Sequence, residues 1–391
     1  MTVGAEMGLT DAEIVRVELT RVALPLTSAF EASHGTEALR QVVIVQLVAA
    51  DGTIGLGEVD ALSHPTYTHE YAAGSFVLLR DEVVPALLRG DSAASDALTR
   101  WHPMTRAALA TARLDGGLRR VGRSLAEALG VPDRADGRHL ARTAVLGRAG
   151  SIEQLLSWVD TAKRDGAALV KLKIAGPHDI DAAMEVCRAF PDLDLAADAN
   201  GALQGFEPTE LRRAGLDRLG LRYLEQPYAP DALVQLAELR RAVDTPVCLD
   251  ESIGSLGAAR VAHTLGALDL VNVKPARLGG PAEAAAVLHW AAQEGIGAFC
   301  GGMLELGVGR AAAAAVAALA ALVGDGVPGG AGLPTDLGPS AAYVVEDLTD
   351  PVLTDAAGRL VVPSGPGIGV TLHRDRLERA TVEHATLIRS R

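Results

Sequence analysis

The feature that most limits the fold is a rhythm. Between residues 169 and 306, short apolar runs each lead into charged or polar residues, reading VKLKIAG, LAADANG, YLEQPY, VCLDESI, VNVKPARLGG and FCGGMLELG. From Lys173 through Asp198, Glu225 and Asp250 to Lys274 the spacings are 25, 27, 25 and 24 residues. The runs Leu169–Ile174, Leu193–Ala197, Leu221–Leu224, Pro246–Leu249, Leu268–Val273 and Gly297–Cys300 have strand length, and helical stretches such as Ile180–Phe190, Asp231–Val243 and Pro281–Gln293 separate them. Strand–helix alternation at this spacing predicts right-handed βα units on a parallel sheet. Six units are visible; Thr143–Leu146 and a segment near Gly332–Thr335 bring the count to eight, the number that closes a TIM-type barrel. No GxGxxG opens a helix after the first strand, which weighs against an open doubly wound sheet. The expected class is therefore α/β: a modified (β/α) barrel of seven to eight units over residues 141–339.

Residues before the barrel have another texture. Ile14–Leu19, Val42–Val48 and Ile54–Val59 read as an antiparallel meander, with Ala50-Asp51-Gly52 as a turn. A helical pattern follows from Tyr67 to about Leu129, then a polar linker over Pro132–Arg138. We expect an α+β capping domain over 1–135, with the tail 340–391 returning to it. Only 13 aromatic residues stand against 42 glycines, so the core must rest on Ala, Val, Leu and Ile. The formal net charge of −13 argues against nucleic acid and anionic membrane partners. The longest apolar run, Ala311–Val323, is too short to span a membrane and reads as a buried helix. Cys187, Cys248 and Cys300 form no CxxC pair, and MTVGAEMGLTDAE lacks the features of a secretion signal. These observations lead us to expect a soluble cytosolic globular protein without a disulfide framework.

In a barrel, the charged residues after the strands converge on the C-terminal mouth, where barrel enzymes keep their active sites. Any one of them alone reads as a solvated charge; five in register do not. Asp198, Glu225 and Asp250 would repel one another in a low-dielectric mouth, and a hard divalent cation relieves that repulsion. All-oxygen ligation without histidine favours Mg²⁺, or Mn²⁺, over Zn²⁺. Lys171 and Lys173 share one face of their strand, and Lys274 approaches from another strand. The first two are expected to depress each other's pKa, leaving one as a usable base. The competing reading is a structural ion-pair network among the same groups. A metal with two flanking lysines suits proton removal α to a carboxylate, followed by reprotonation (racemisation, epimerisation) or loss of a β-leaving group (dehydration).

The ordered set KLK, DAN, EQP, DES, KPARLGG and GGMLELG resembles the enolase superfamily in its muconate-lactonising-type branch. Within it, CGGMLELGVGR and PTYTHEY resemble o-succinylbenzoate synthases and their N-acylamino acid (N-succinylamino acid) racemase relatives. The resemblance covers nearly the whole chain. It implies Asp198, Glu225 and Asp250 as Mg²⁺ ligands, Lys173 and Lys274 as the acid–base pair, Lys171 tuning Lys173, and Asn200 and Glu251 orienting the ligands. It further implies that Phe30, Leu62, Gly301, Gly302 and Met303 surround a small carboxylate substrate, in a homo-oligomer. Two positions depart from the pattern. His34 stands where relatives carry an aromatic wall, and Arg148 lies in a segment that usually holds a serine. Either these two face the pocket and favour a more anionic substrate, or they stand in solvent.

Other features carry less. Ser252 has no histidine in motif. Cys248 and Cys300 sit in apolar strands, as inert core thiols do. Arg277 with Gly279-Gly280 either binds an anion at a helix start or merely turns the chain. The functional alternatives are a dipeptide or other N-acylamino acid epimerase and, from a different class, a non-catalytic paralogue that binds a ligand.

Overall fold

The computed structural model describes residues 7–32, 35–132, 139–327, 330 and 332–390, without side chains for 28–32 and 35–37. Its first layer is an antiparallel sheet. Strands β1 (Ile14–Ala32), β2 (Gly35–Ala49) and β3 (Ile54–Val59) form a meander; β1 is far longer than the apolar run that announces it. The helical pattern after Tyr67 begins at Ala72 and breaks into several helices, the longest being Pro103–Arg120. That helix lies on β3 because Gly55 and Gly57 share one face of the strand: a Cβ on either would stand 1.9 Å from a helix carbonyl, Ala112 O or Ala108 O. Alternation sends Leu56 and Glu58 to the opposite face, toward the rest of the molecule.

The second layer is a parallel sheet of seven strands curled into a half-barrel. After β4 (His139–Leu140) come β5 (Thr143–Leu146), β6 (Leu169–Lys173), β7 (Leu195–Asp198), β8 (Leu224–Glu225), β9 (Val247–Leu249), β10 (Leu270–Val273) and β11 (Gly297–Cys300). Their spatial order is β11-β10-β9-β8-β7-β6-β5, the monotonic sequence that repeated right-handed crossovers produce. Seven strands, not eight, make the sheet. The segment near Gly332–Thr335 has too few β residues to form a strand, and it supplies only an isolated bridge from Thr335 to Arg142. It nevertheless fills the seam. Thr143 N–H donates to Thr335 O (2.8 Å), Thr335 N–H to Ala141 O (3.0 Å) and Asp336 N–H to Cys300 O (3.1 Å).

Inward side chains of six successive strands, β6 to β11, plug the barrel interior: Leu169, Ala196, Tyr223 (just before β8), Cys248, Leu270 and Phe299, with the Tyr223 and Phe299 rings stacked at 5.1 Å. This plug closes one end and leaves the strand C-termini open. Burial raises the thiols of Cys248 and Cys300, as befits core residues. Helix Gly307–Gly324 is 18 residues long and apolar enough to cross a membrane, yet 83% of it lies inside the protein, so it is a core helix. The tail adds β12 (Leu360–Val361), which pairs with β4, and β13 (Thr381–Ile388), which pairs antiparallel with β1.

Candidate active site

Parallel register sets the site. Lys173 lies opposite Asp198 across β6 and β7, and Asp198 lies opposite Glu225 across β7 and β8. Glu225 pairs with Cys248, so Asp250 stands two residues further along the next strand. Strand alternation puts Lys171 and Lys173 on one face, directed away from the outer helices. Two non-glycine residues within two positions of these strand ends, Asn200 (φ 43°) and Gln226 (φ 36°), adopt the left-handed backbone region. Such strain persists only where the surroundings over-determine it, and here the partners are visible. Asn200 N–H donates to Asp198 Oδ1 (3.0 Å) and its amide to Glu251 Oε1 (2.9 Å). Gln226 Oε1 accepts from Asp250 N–H (3.0 Å), fixing the loop that carries that carboxylate.

Each carboxylate is held by a cation. Lys173 Nζ donates to Asp198 Oδ2 (2.7 Å) and to Asn200 Oδ1. Lys171 Nζ donates to Glu225 Oε2 (2.7 Å) and to Asp336 Oδ2. Lys274 Nζ donates to Asp250 Oδ2 (2.7 Å) and, at 3.3 Å, to the Tyr67 hydroxyl. Arg277 takes the other oxygen of Asp250 and donates to the Tyr67 hydroxyl (2.7 Å), Ile253 O (3.0 Å) and Asn272 O (3.1 Å). Arg277 thus commits four of its five donors within the protein, and its charge is paired with Asp250.

These pairings revise the expected lysine electrostatics. Burial opposes the Lys171 charge, but Asp336 and Glu225 outweigh it and hold the ammonium above its usual range. Mutual depression by Lys173 does not govern, because each ammonium has carboxylates of its own. Burial likewise opposes the Lys274 charge, and Asp250 overcomes it. For Asp250, burial is outweighed by Arg277 and Lys274, which keep the carboxyl well below its usual range. Glu225 goes the other way: burial first, with Asp198, Asp336 and Asp250 adding repulsion against the pull of Lys171, pushes it up to about 8. Burial and Asp250 push Glu251 up to about 7.

The open strand ends face a cavity of about 840 Å³. Lys171, Lys173, Asp198, Asn200, Glu225 and Lys274 line it, with Leu62, Tyr67, Gly302, Met303 and Leu304 on its walls and Trp158 and Arg148 toward its rim. Side-chain exposure separates the lysines: 23% for Lys173, 11% for Lys274 and 2% for Lys171. Arg148 is 57% exposed and 3.7 Å from Asp179, so it belongs both to the rim and to solvent. Asp250 and Glu251 do not line the cavity. Nor does Gly301: a Cβ there would stand 2.2 Å from Asn272 Oδ1, so this glycine makes room for Asn272 and not for substrate. His34 and the Phe30 side chain lie outside the described residues.

Three contributors escaped the sequence reading. Asp336 sits in an aperiodic segment with no apolar run before it. Tyr67 comes from a loop of the first layer. Asn272 points inward from the middle of β10 and donates to Glu225 Oε1 (2.9 Å).

Among the described residues no three carboxylates already converge on one point as a metal-binding group. The donor set nevertheless fits a hard dication. Oxygens from three consecutive strand ends crowd one another, as the raised Glu225 shows, and Glu251 Oε2, Asp336 Oδ1 and Asn272 Oδ1 are buried without hydrogen-bond partners. The neighbouring ammonium and guanidinium groups hold the carboxylates apart in the way a divalent ion would draw them together.

A family model described as enolase C-terminal domain-like matches residues 154–376. The N-succinylamino acid racemase of Amycolatopsis sp is 37% identical over 373 residues, covering 93% of this chain and 96% of that protein. The o-succinylbenzoate synthase of Geobacillus stearothermophilus is 34% identical over 371 residues, covering 93% and 95%. A solved structure from Listeria innocua, described as a member of the enolase superfamily, superposes with a TM-score of 0.86 at 30% identity and covers 97% of this chain and all of its own.

Proposed function

This chain belongs to the enolase superfamily, and from that premise we propose that it removes the proton α to a carboxylate, acting as an o-succinylbenzoate synthase with N-succinylamino acid racemase activity. The observation that carries this reading is the placement of Lys173 and Lys274. They stand at the ends of strands four positions apart in a curved sheet, and both line one cavity with carboxylates between them. A Mg²⁺ or Mn²⁺ ion held by Asp198, Glu225 and Asp250 would supply positive charge that stabilises the substrate carboxylate as it becomes an enediolate.

The protein's own groups do the rest. Lys173, the most exposed of the three lysines, takes the α proton. Asp198 and Asn200 hold its Nζ at the cavity surface. Lys274, fixed by Asp250 and Tyr67, stands across the cavity. In racemisation it returns a proton to the opposite face; in dehydration its charge stabilises the enediolate while the β-hydroxyl leaves as water, taking up the proton that Lys173 removed. Lys171, the least exposed of the three, is committed to Glu225 and Asp336 and positions them. Leu62 and Met303 supply apolar wall. Three free cysteines suit a reducing cytoplasm.

The deciding experiment supplies Mg²⁺ in heavy water with either enantiomer of an N-succinylamino acid, and separately with the hydroxylated cyclohexadiene precursor. Deuterium entering the α position of both enantiomers marks racemisation, and release of o-succinylbenzoate marks the synthase. An undiminished rate in Lys173→Ala overturns the mechanism. The half-exposed Arg148 guanidinium at the rim favours a second reading, epimerisation of an N-acylamino acid or dipeptide with an extra anionic group.

A further inference from the structure

Arg40, in β2, is completely buried. Its guanidinium has five N–H groups, and they make five contacts to backbone carbonyls. Nε donates to Leu304 O (2.8 Å), Nη1 to Ala61 O (2.8 Å) and Gln41 O (3.2 Å), and Nη2 to Asp60 O (2.7 Å) and Met303 O (3.2 Å). The buried charge is tolerated because every N–H of the guanidinium meets a backbone carbonyl oxygen.

The carbonyls belong to three stretches of chain, and two of these enter the cavity wall. Residues 60–61 lead straight into Leu62 and on to Tyr67; Met303 and Leu304 follow β11, and all four of these residues line the cavity. Leu304 has φ 58°, a left-handed conformation that a leucine side chain disfavours. The turn is fixed from two sides. Arg40 holds the carbonyls of Met303 and Leu304, and Met303 N–H donates to Glu305 Oε1 (2.8 Å).

We propose that Arg40 is a positioning residue that sets the 60–67 loop and the Met303–Leu304 turn against each other, and thereby decides how large an apolar group the substrate pocket accepts. The inference rests on the function proposed above for its substrate class, N-acylamino acids with an apolar side chain. Its mechanical half stands apart from that reading. One guanidinium joins a loop of the antiparallel layer to a turn of the half-barrel, and a lysine, with three N–H groups on one atom, cannot span the same five carbonyls.

The test uses full-length Arg40→Lys with Mg²⁺. In hydrogen exchange followed by mass spectrometry, peptides covering 60–67 and 302–306 should gain exchange together while those of β6 and β7 keep their protection. With N-succinylamino acids of small and large apolar side chains, the preference in kcat/KM should change about tenfold through KM, with kcat on the smallest substrate within about twofold. Loosening of only one segment, or a lower melting temperature with preference unchanged, overturns the proposal and leaves Arg40 a purely structural residue. Leu304→Gly, which keeps Arg40 and accepts the left-handed turn without strain, should shift the preference in the same direction; an unchanged preference there also counts against it. If the unaltered protein exchanges no α proton from any N-acylamino acid, the proposed reaction fails, while the exchange measurement still decides whether Arg40 couples the two segments.

Discussion

Two buried clusters of charge invite comparison, because they use the same residue types to opposite ends. At the mouth of the half-barrel, Asp198, Glu225 and Asp250 are each met by a lysine, and the cluster opens onto about 840 Å³. At the joint between the antiparallel layer and the barrel, Glu58, Asp60 and Glu305 surround a void of only about 20 Å³. There Glu58 accepts from Leu306 N–H (2.6 Å) and Gly309 N–H (2.8 Å), at the start of the buried helix Gly307–Gly324. Glu305 meets Arg310 at 2.8 Å. The joint spends its carboxylates on backbone amides and guanidinium and holds at most about one water. The mouth sets them against lysine ammonium groups, and Asp250 against Arg277 as well, beside open space. Charge burial alone does not mark an active site; what distinguishes this one is a cavity and partners that can exchange.

The contrast breaks most sharply at the lysines. Lys173→Ala should cut α-proton exchange by about a hundred- to ten-thousand-fold, the usual share of general acid–base catalysis, with a much smaller change in the urea midpoint. Lys274→Ala should abolish racemisation to a similar degree. If either variant lost stability and kept turnover, the mouth would be a structural network like the joint.

The sequence exposed one of these clusters and hid the other, for a physical reason. Strand ends in a parallel sheet recur at the period of the βα unit, so Lys173, Asp198, Glu225, Asp250 and Lys274 show up as a register before any fold is known. Glu58 lies in a meander strand and Asp60 just after it, where neighbours are chosen by tertiary docking, and nothing local says that Glu58 meets the start of a helix some 250 residues later. Asp336 and Tyr67 were hidden likewise: each enters the site from a segment without periodicity. The count of seven to eight units settles at seven, and at the same seam Thr335 and Asp336 take the place of an eighth strand through a few hydrogen bonds. Gly301 was assigned to the pocket by position in a motif, whereas its role follows from the side chain behind it.

A second way to sharpen the comparison removes a buried partner. Arg277→Met leaves Asp250 with Lys274 alone and strips donors from Ile253 O and Asn272 O. Breaking a buried ion pair from one side costs about 3–5 kcal/mol, which urea unfolding would register as a lower midpoint.

The joint should answer to pH instead. Burial first, then Asp347, push the Glu58 carboxyl up to about 7 from 4.5, against the backbone donors Gly309 and Leu306. The folded protein thus keeps a proton that the unfolded chain has released. This group's contribution is complete below the unfolded value and is lost as pH rises through about 7, by at most about 3 kcal/mol. Glu58→Gln should flatten the fall in urea midpoint between about pH 5 and 7. An unchanged slope in that variant would assign the titration to another group.

The smallest expected effect lies at Gly301 and tests whether the mouth tolerates any loss of its open geometry. An alanine there places Cβ 2.2 Å from Asn272 Oδ1 and 2.8 Å from Nδ2, in a side chain whose amide donates to Glu225 Oε1. Asn272 must swing off Glu225, which already carries the repulsion of three neighbouring acids. Overpacking of this kind costs about 1–3 kcal/mol, and Mg²⁺ affinity measured by calorimetry should fall with it. The decisive control is a double-mutant cycle with Asn272→Ala, which removes the clash and the hydrogen bond together. In that background Gly301→Ala should cost little further; an equal cost in both backgrounds would mean that the glycine serves the backbone and not the asparagine behind it.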